Sequence, residues 1–321
     1  MRLLTRSLLA LAMLLALLPA TQAQQTFPSH TVRLVVPYPP GGSADTLARI
    51  MADGLSKVWG QSVVVDNKAG AGGAIGVDAV AKSAPDGYNL ILGVTGALTI
   101  APNLRKLPYD PVRDLAPVSL VGSSPSMLAV HPSVPANSVA ELIALAKAKP
   151  GTLTFSSAGP GTSVHIAGEL FKSMAGIDIL HVPYKGGGPS VTALLAGEVS
   201  MTFENVTSLA PYVQAGKLKG LAVTSAQRTS VAPDLPPVAD TLKGYEVTTW
   251  MGLFAPAGTP PAIIEKVQHD LAQVLAPADV RKRLNDQGIE IIVSPPDALA
   301  AHVKAELARF GKVIREAGIT E

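Results

Sequence analysis

The segment TVRLVVP, residues 31–37, has the length and β-branched content of a buried strand, and Gly41-Gly42 then turns the chain into a helix. In that helix Leu47, Ile50, Met51, Leu55 and Val58 recur at helical spacing, which places them on one face. A second strand is predicted over 62–65, then a Gly-rich turn over 69–76 and a short helix. Asp86-Gly87 signals a turn ahead of a strand over 88–92. Strand, helix, strand in this order predicts parallel units with right-handed crossovers and helices on both faces of the sheet.

A second set follows. Extended segments are predicted over 118–121 and 127–130. Ser138 with Glu141 three residues on forms a capping box that opens a helix to Ala148. A strand over 153–156 leads through Gly159-Pro160-Gly161-Thr162 into a helix with Ile166, Leu170 and Met174 on one side. A strand over 179–184 precedes Gly186-Gly187-Gly188, with a helix starting at Pro189. Strands over 201–203 and 218–224 complete the set. Beyond Thr224 the prolines 233, 236 and 237 mark an irregular crossing, 251–255 is one more apolar strand, and two helices follow, 261–275 and from Ser294 to about Glu316.

Two α/β sets with a helical tail allow consecutive domains or a tail that returns to the first. The second arrangement makes domain two an insertion, residues 124–223, in a discontinuous domain one, residues 24–123 plus 224–321. Its two connections, near 122–124 and 223–225, would act as a hinge.

Charge changes the picture at the amino end. The chain has 321 residues with a formal net charge of +2. Arg2 and Arg6 supply both excess charges and precede an apolar run from Leu8 to Leu18 and a small-residue stretch ending at Ala23. This is the pattern of an export signal, residues 1–23, cleaved after Ala23, with an apolar core of about 11 residues against the ~20 that a bilayer span needs. Without it, basic and acidic residues balance, and the broad positive field used for nucleic-acid binding is missing. No cysteine is present, which excludes disulfides, thiolate metal sites and a lipid-bearing cysteine anchor. The expectation is an exported, unanchored monomer.

Candidate chemistry lies in four Gly-rich loops at strand ends: Pro39-Pro40-Gly41-Gly42-Ser43, Gly93-Val94-Thr95-Gly96, Ser156 to Ser163, and Lys185-Gly186-Gly187-Gly188. At such positions free backbone N–H groups and the positive helix end attract anions, and Ser and Thr hydroxyls add short donors. Each loop taken alone is equally a tight turn. Two loops in each set would grip a small carboxylate from both sides. The segment Gly70 to Gly76 misses the dinucleotide fingerprint, because Ile75 stands where a glycine is needed. The six histidines, His30, His131, His165, His181, His269 and His302, show no metal-ligand spacing, so neither metal nor cofactor is expected. Ser157, Ser163 and His165 leave a serine hydrolase open as an alternative, although no GxSxG elbow is present. Trp250 is placed near a cleft, or equally as a packed hinge residue.

The segments TVRLVVPYPPGGSADTLAR, DGYNLILG, LPYDPVRDLAPVSLV, SSAGPGTSVHIAGELF, HVPYKGGGPSVTALLAGEV and APAGTPPAIIEKV resemble the Bug-type receptors of tripartite tricarboxylate transporters. The resemblance covers essentially the whole chain after residue 23. It implies an α/β periplasmic-binding-protein type II fold, two domains around a ligand cleft with two hinge connections, and no enzymatic activity. It further implies capture of a mono-, di- or tricarboxylate in the periplasm and delivery to the membrane components of such a transporter, with a sensory role as an alternative. Ligand-contacting positions implied are Tyr38, Pro40, Gly41, Gly42, Ser43 and Asp45, then Thr95 and Gly96. In domain two they are Ser157, Ala158, Gly159, Gly161, Thr162, His165, Lys185, Gly186, Glu204 and Asn205. The family commonly carries Asp where this chain has Glu204.

Overall fold

The computed structural model describes residues 27–320. The export signal and its cleavage after Ala23 lie outside the described residues. β1 (Val32–Val36) pairs in parallel with β2 (Val63–Asn67) and β3 (Asn89–Val94). α1 (Ser43–Trp59) crosses between the first two and buries Leu47, Met51 and Leu55 before stopping at Gly60, whose φ of 64° is left-handed. α2 (Ala74–Ala81) provides the next crossover. A turn of π-helix over Gly96–Ile100 and the short α3 (Ala101–Leu104) follow β3.

The two extended pieces expected near 118–130 are one strand, β4 (Leu115–Val130). The polar stretch Gly122-Ser123-Ser124-Pro125 breaks its hydrophobic pattern without breaking its backbone. Up to Pro125 it pairs antiparallel with β9 (Thr248–Pro256), and from Ser126 with β7 (Met201–Asn205). β5 (Thr154–Ser157) runs parallel to β6 (Leu180–Pro183) and β7, and β8 (Lys219–Val223) lies antiparallel to β4. The spatial order is β2-β1-β3-β9-β4-β7-β5-β6, so β9 inserts antiparallel beside the first parallel set.

α4 (Val139–Ala148) is capped as predicted: the Ser138 hydroxyl accepts the Glu141 N–H at 3.2 Å. The Glu141 carboxylate accepts from Asn137 rather than from Ser138 itself. α5 (Ser163–Ala175) follows β5, and α6 (Gly187–Leu195) follows β6, starting two residues before Pro189. Proline is tolerated there because first-turn N–H groups have no helical acceptor. α7 (Val206–Gln214) lies between β7 and β8, α8 (Pro261–Leu275) and α9 (Ala278–Asn285) follow β9, and β10 (Glu290–Ile291) adds to β4 ahead of α10 (Pro296–Glu316).

One core joins β1, β3, α1 and α8 through Leu34, Leu47, Leu92 and Leu271. A second joins β5, α4 and α5 through Phe155, Leu142 and Phe171. α10 feeds two clusters: Leu299 and Val303 pack with Trp250 and Phe254, while Phe310 and Val313 pack with Phe171 and Tyr245. Among the described residues no helix is long and apolar enough to cross a membrane.

Candidate functional site

A cleft of about 790 Å³ opens between the two strand sets. One wall comes from the β1–α1 loop and the start of α1 (Tyr38, Pro40, Gly42, Ser43), Val94 of β3, Gly96 of the π-helical turn, and α3 with its following residue (Leu104, Arg105). Pro160, Gly161, Thr162 and Ser163 form the opposite wall, and Thr249 and Met251 of β9 close the base. Ser43 and Ser163 begin α1 and α5, so two positive helix ends meet the cleft from opposite sides.

Asp45 is buried in the first turn of α1 and shapes this wall without lining it. Its carboxylate accepts from Gly41 N–H at 2.9 Å, Asn67 Nδ2 at 3.0 Å and Arg49 Nε at 3.0 Å. Arg49 leads these partners in holding the carboxyl below its ordinary range against the opposing effect of burial. The loop needs this anchor because Gly41 has φ of +94°, a conformation costly for other residues. Tyr38 donates to the Gly72 carbonyl at 3.3 Å, and burial pushes its hydroxyl up to about 12, so it remains a donor at the cleft edge.

Thr95 does not reach the cleft. Its buried hydroxyl accepts the Trp250 N–H at 2.8 Å and ties the end of β3 to β9. Trp250 is 1% exposed and packs edge-on against His302, so it lies in the core behind the cleft base. Thr162 lines the cleft and also caps α5: its hydroxyl accepts the His165 N–H and donates to the Gly159 carbonyl at 2.8 Å.

His165 turns inward. Its Nδ1 accepts the Gly161 N–H at 3.1 Å and its ring stacks on His181 at 3.9 Å. Burial, with His181 beside it, pulls its pKa down to about 4, which keeps the imidazole neutral. Ser157 bonds His181 Nε2 at 2.6 Å rather than His165, and lines neither the cleft nor its extension. Ser163, which lines the cleft as Ser43 does, instead shares a hydroxyl contact of 3.1 Å with Thr249. The hydroxyl–imidazole pair is half-buried and lies off the cleft lining, and among the described residues no imidazole is in hydrogen-bond contact with the Ser163 hydroxyl. Lys185 is exposed and lines neither compartment. Gly186 holds the loop by donating to the Ala158 carbonyl at 3.2 Å.

A second compartment of about 580 Å³ shares Thr162 and Ser163 with the cleft. Ala158, Gly187, Gly188, Glu204, Asn205 and Tyr212 line it. Of the residues expected from sequence, Tyr38, Pro40, Gly42, Ser43, Gly96, Gly161 and Thr162 meet in the cleft, and Ala158, Glu204 and Asn205 in its extension. Gly41 and Gly159 line neither compartment; Gly41 donates to Asp45, and the Gly159 carbonyl accepts from Thr162.

Sequence reasoning missed Leu104, Arg105, Thr249 and Met251. Arg105 brings a cation to the cleft and donates to the Ala71 carbonyl at 2.7 Å. The signal was masked because Gly96 and Pro102 hide the helical turns that carry it. Among the described residues no group of three His, Asp or Glu side chains is placed to hold a metal ion.

Residues 47–319 match the family described as tripartite tricarboxylate transporter family receptor. BugT of Bordetella pertussis is 38% identical over 304 residues, covering 93% of this chain and 93% of that protein. A solved R. palustris protein with adipate is 38% identical with a TM-score of 0.76, covering 92% of this chain and 99% of its own. MatC from Rhodopseudomonas palustris with bound malate is 33% identical with a TM-score of 0.72, covering 90% of this chain and 100% of its own. With this fold, this cleft and these relatives, the chain belongs to the Bug/TctC family of tripartite tricarboxylate transporter receptors, periplasmic solute-binding proteins and not enzymes.

Proposed function

We propose that this receptor captures a small organic carboxylate in the cleft and delivers it to the membrane components of a tripartite tricarboxylate-type transporter. The observation that carries the reading is the meeting of the α1 and α5 amino ends, through Ser43 and Ser163, across a cleft that also holds Arg105. Backbone N–H groups and hydroxyls of these loops receive the carboxylate, with Tyr38 and Thr162 at their margins. The dicarboxylates adipate and malate bound to the two R. palustris relatives support this choice of ligand class. The lobes are residues 24–123 with 224–321 and residues 124–223, and they close about the connections near 122–124 and 223–225. The receptor acts as an unanchored monomer in the periplasm after loss of residues 1–23.

A thermal-shift panel of short mono-, di- and tricarboxylates tests this. A ligand present at 100 times its Kd adds about 2.7 kcal/mol to stability, a shift of several degrees. The Arg105→Gln variant should need about tenfold more of the same acid for that shift, because a charge-assisted contact is removed. A melt that no acid moves would overturn the capture reading.

A further inference from the structure

Glu204, in β7, is 4% exposed and lines the second compartment. Its Oε1 has no hydrogen-bond partner among the described residues. The carboxyl lies against the first turn of α6. A Cβ added at Gly187 would stand 3.1 Å from Oε2 and 3.2 Å from Oε1, so glycine there leaves the acid its space. Among the described residues that line this compartment there is no Lys, Arg or His to neutralise the acid. A buried acceptor without a donor is costly, and burial raises the Glu204 pKa against one opposing N–H, that of Asn205.

The compartment adjoins the proposed carboxylate cleft, with Thr162 and Ser163 lining both. We infer that it receives the far end of the ligand, and that Glu204 accepts a hydrogen bond there from a ligand hydroxyl, amide or ammonium group. The inference rests on the proposed carboxylate capture and narrows it to acids carrying a donor at a second position. Such an end supplies the missing partner, while a methyl end leaves the acid buried and unpaired. Sites built around a buried polar group discriminate strongly against ligands that lack its partner.

Isothermal titration of the purified receptor with butyrate, γ-hydroxybutyrate, γ-aminobutyrate, succinamate and succinate separates the cases. At least one donor-ended acid should bind about tenfold or more tightly than butyrate. Glu204→Gln keeps a neutral acceptor, so it should lose the preference for γ-aminobutyrate and retain most of that for the hydroxyl and amide. Glu204→Met should lose all three preferences, so that butyrate and the donor-ended acids bind about equally. If Glu204→Met fails to fold, the wild-type ranking and the Gln variant decide. Equal affinity for methyl- and donor-ended acids overturns this inference alone. Succinate bound more tightly than every donor-ended acid also overturns it, because Glu204 would then act as the donor. Failure of all five acids to bind overturns this inference, and a panel of mono-, di- and tricarboxylates that moves no melt overturns the capture reading as well.

Discussion

The imidazoles of His165 and His302 are both held neutral inside the fold. Burial lowers each to about 4 from the ordinary 6.5 of a histidine, with His181 acting on the first and Arg309 on the second. The unfolded chain therefore takes up protons that the folded chain refuses as pH drops below about 6.5. Their contribution is complete above that value and is lost progressively toward pH ~4, at up to about 1.4 kcal/mol per pH unit for each histidine. Melting temperature should fall across this window, and His165→Asn should reduce the slope. A slope that the substitution leaves unchanged would exclude His165 as a contributor. The sequence placed His165 beside the Gly-rich loop but could not say which way its ring turned. That was decided by Phe155 of β5 and His181 of β6, which pack against it. Arg105 illustrates the reverse case, since nothing in Asn103-Leu104-Arg105 as a string distinguishes it from any surface cation.

Elements were legible where pattern and pairing agree. α1 and α5 bury Leu47, Met51 and Leu55, and Ile166 and Leu170, at the predicted spacing, while Val58 and Met174 at their far ends are exposed, and α8 ends where predicted. β4 was not legible as one strand, because its middle is polar and holds Pro125, which offers no N–H at the change from β9 to β7. Close packing of α5 on β5 is a tertiary fact as well. A Cβ at Gly168 would stand 2.1 Å from Phe155 Cε2, so this helix approaches the strand at a distance only glycine permits. Gly168→Ala should cost about 1–3 kcal/mol in urea unfolding, the usual penalty of overpacking. The substitution should also weaken acid binding, since the displaced helix carries Thr162 and Ser163 into the cleft. Full stability in the variant would contradict this packing.

At the scale of the molecule, β4 and α10 connect the two halves. β4 passes from one set of partners to the other at Pro125–Ser126, and α10 sends Leu299 toward Trp250 and Phe310 toward Phe171. On the proposed reading, lobe closure turns about these shared elements, with a modest rotation that keeps both ends of α10 packed. Solution scattering should show a small decrease in radius of gyration when a stabilising acid is added. Identical curves with and without such an acid would count against closure. Sequence alone determined the alternation of strands and helices, the four loops, the charge balance and the family resemblance, because these are written in local spacing and residue type. Tertiary structure decided which loop residues face the cleft and which brace it, and it brought Arg105, Thr249 and Met251 to the same cavity. It also left Glu204 buried beside Gly187. Those outcomes depend on how strands far apart in sequence pair and on which way each side chain then points, and local pattern carries neither.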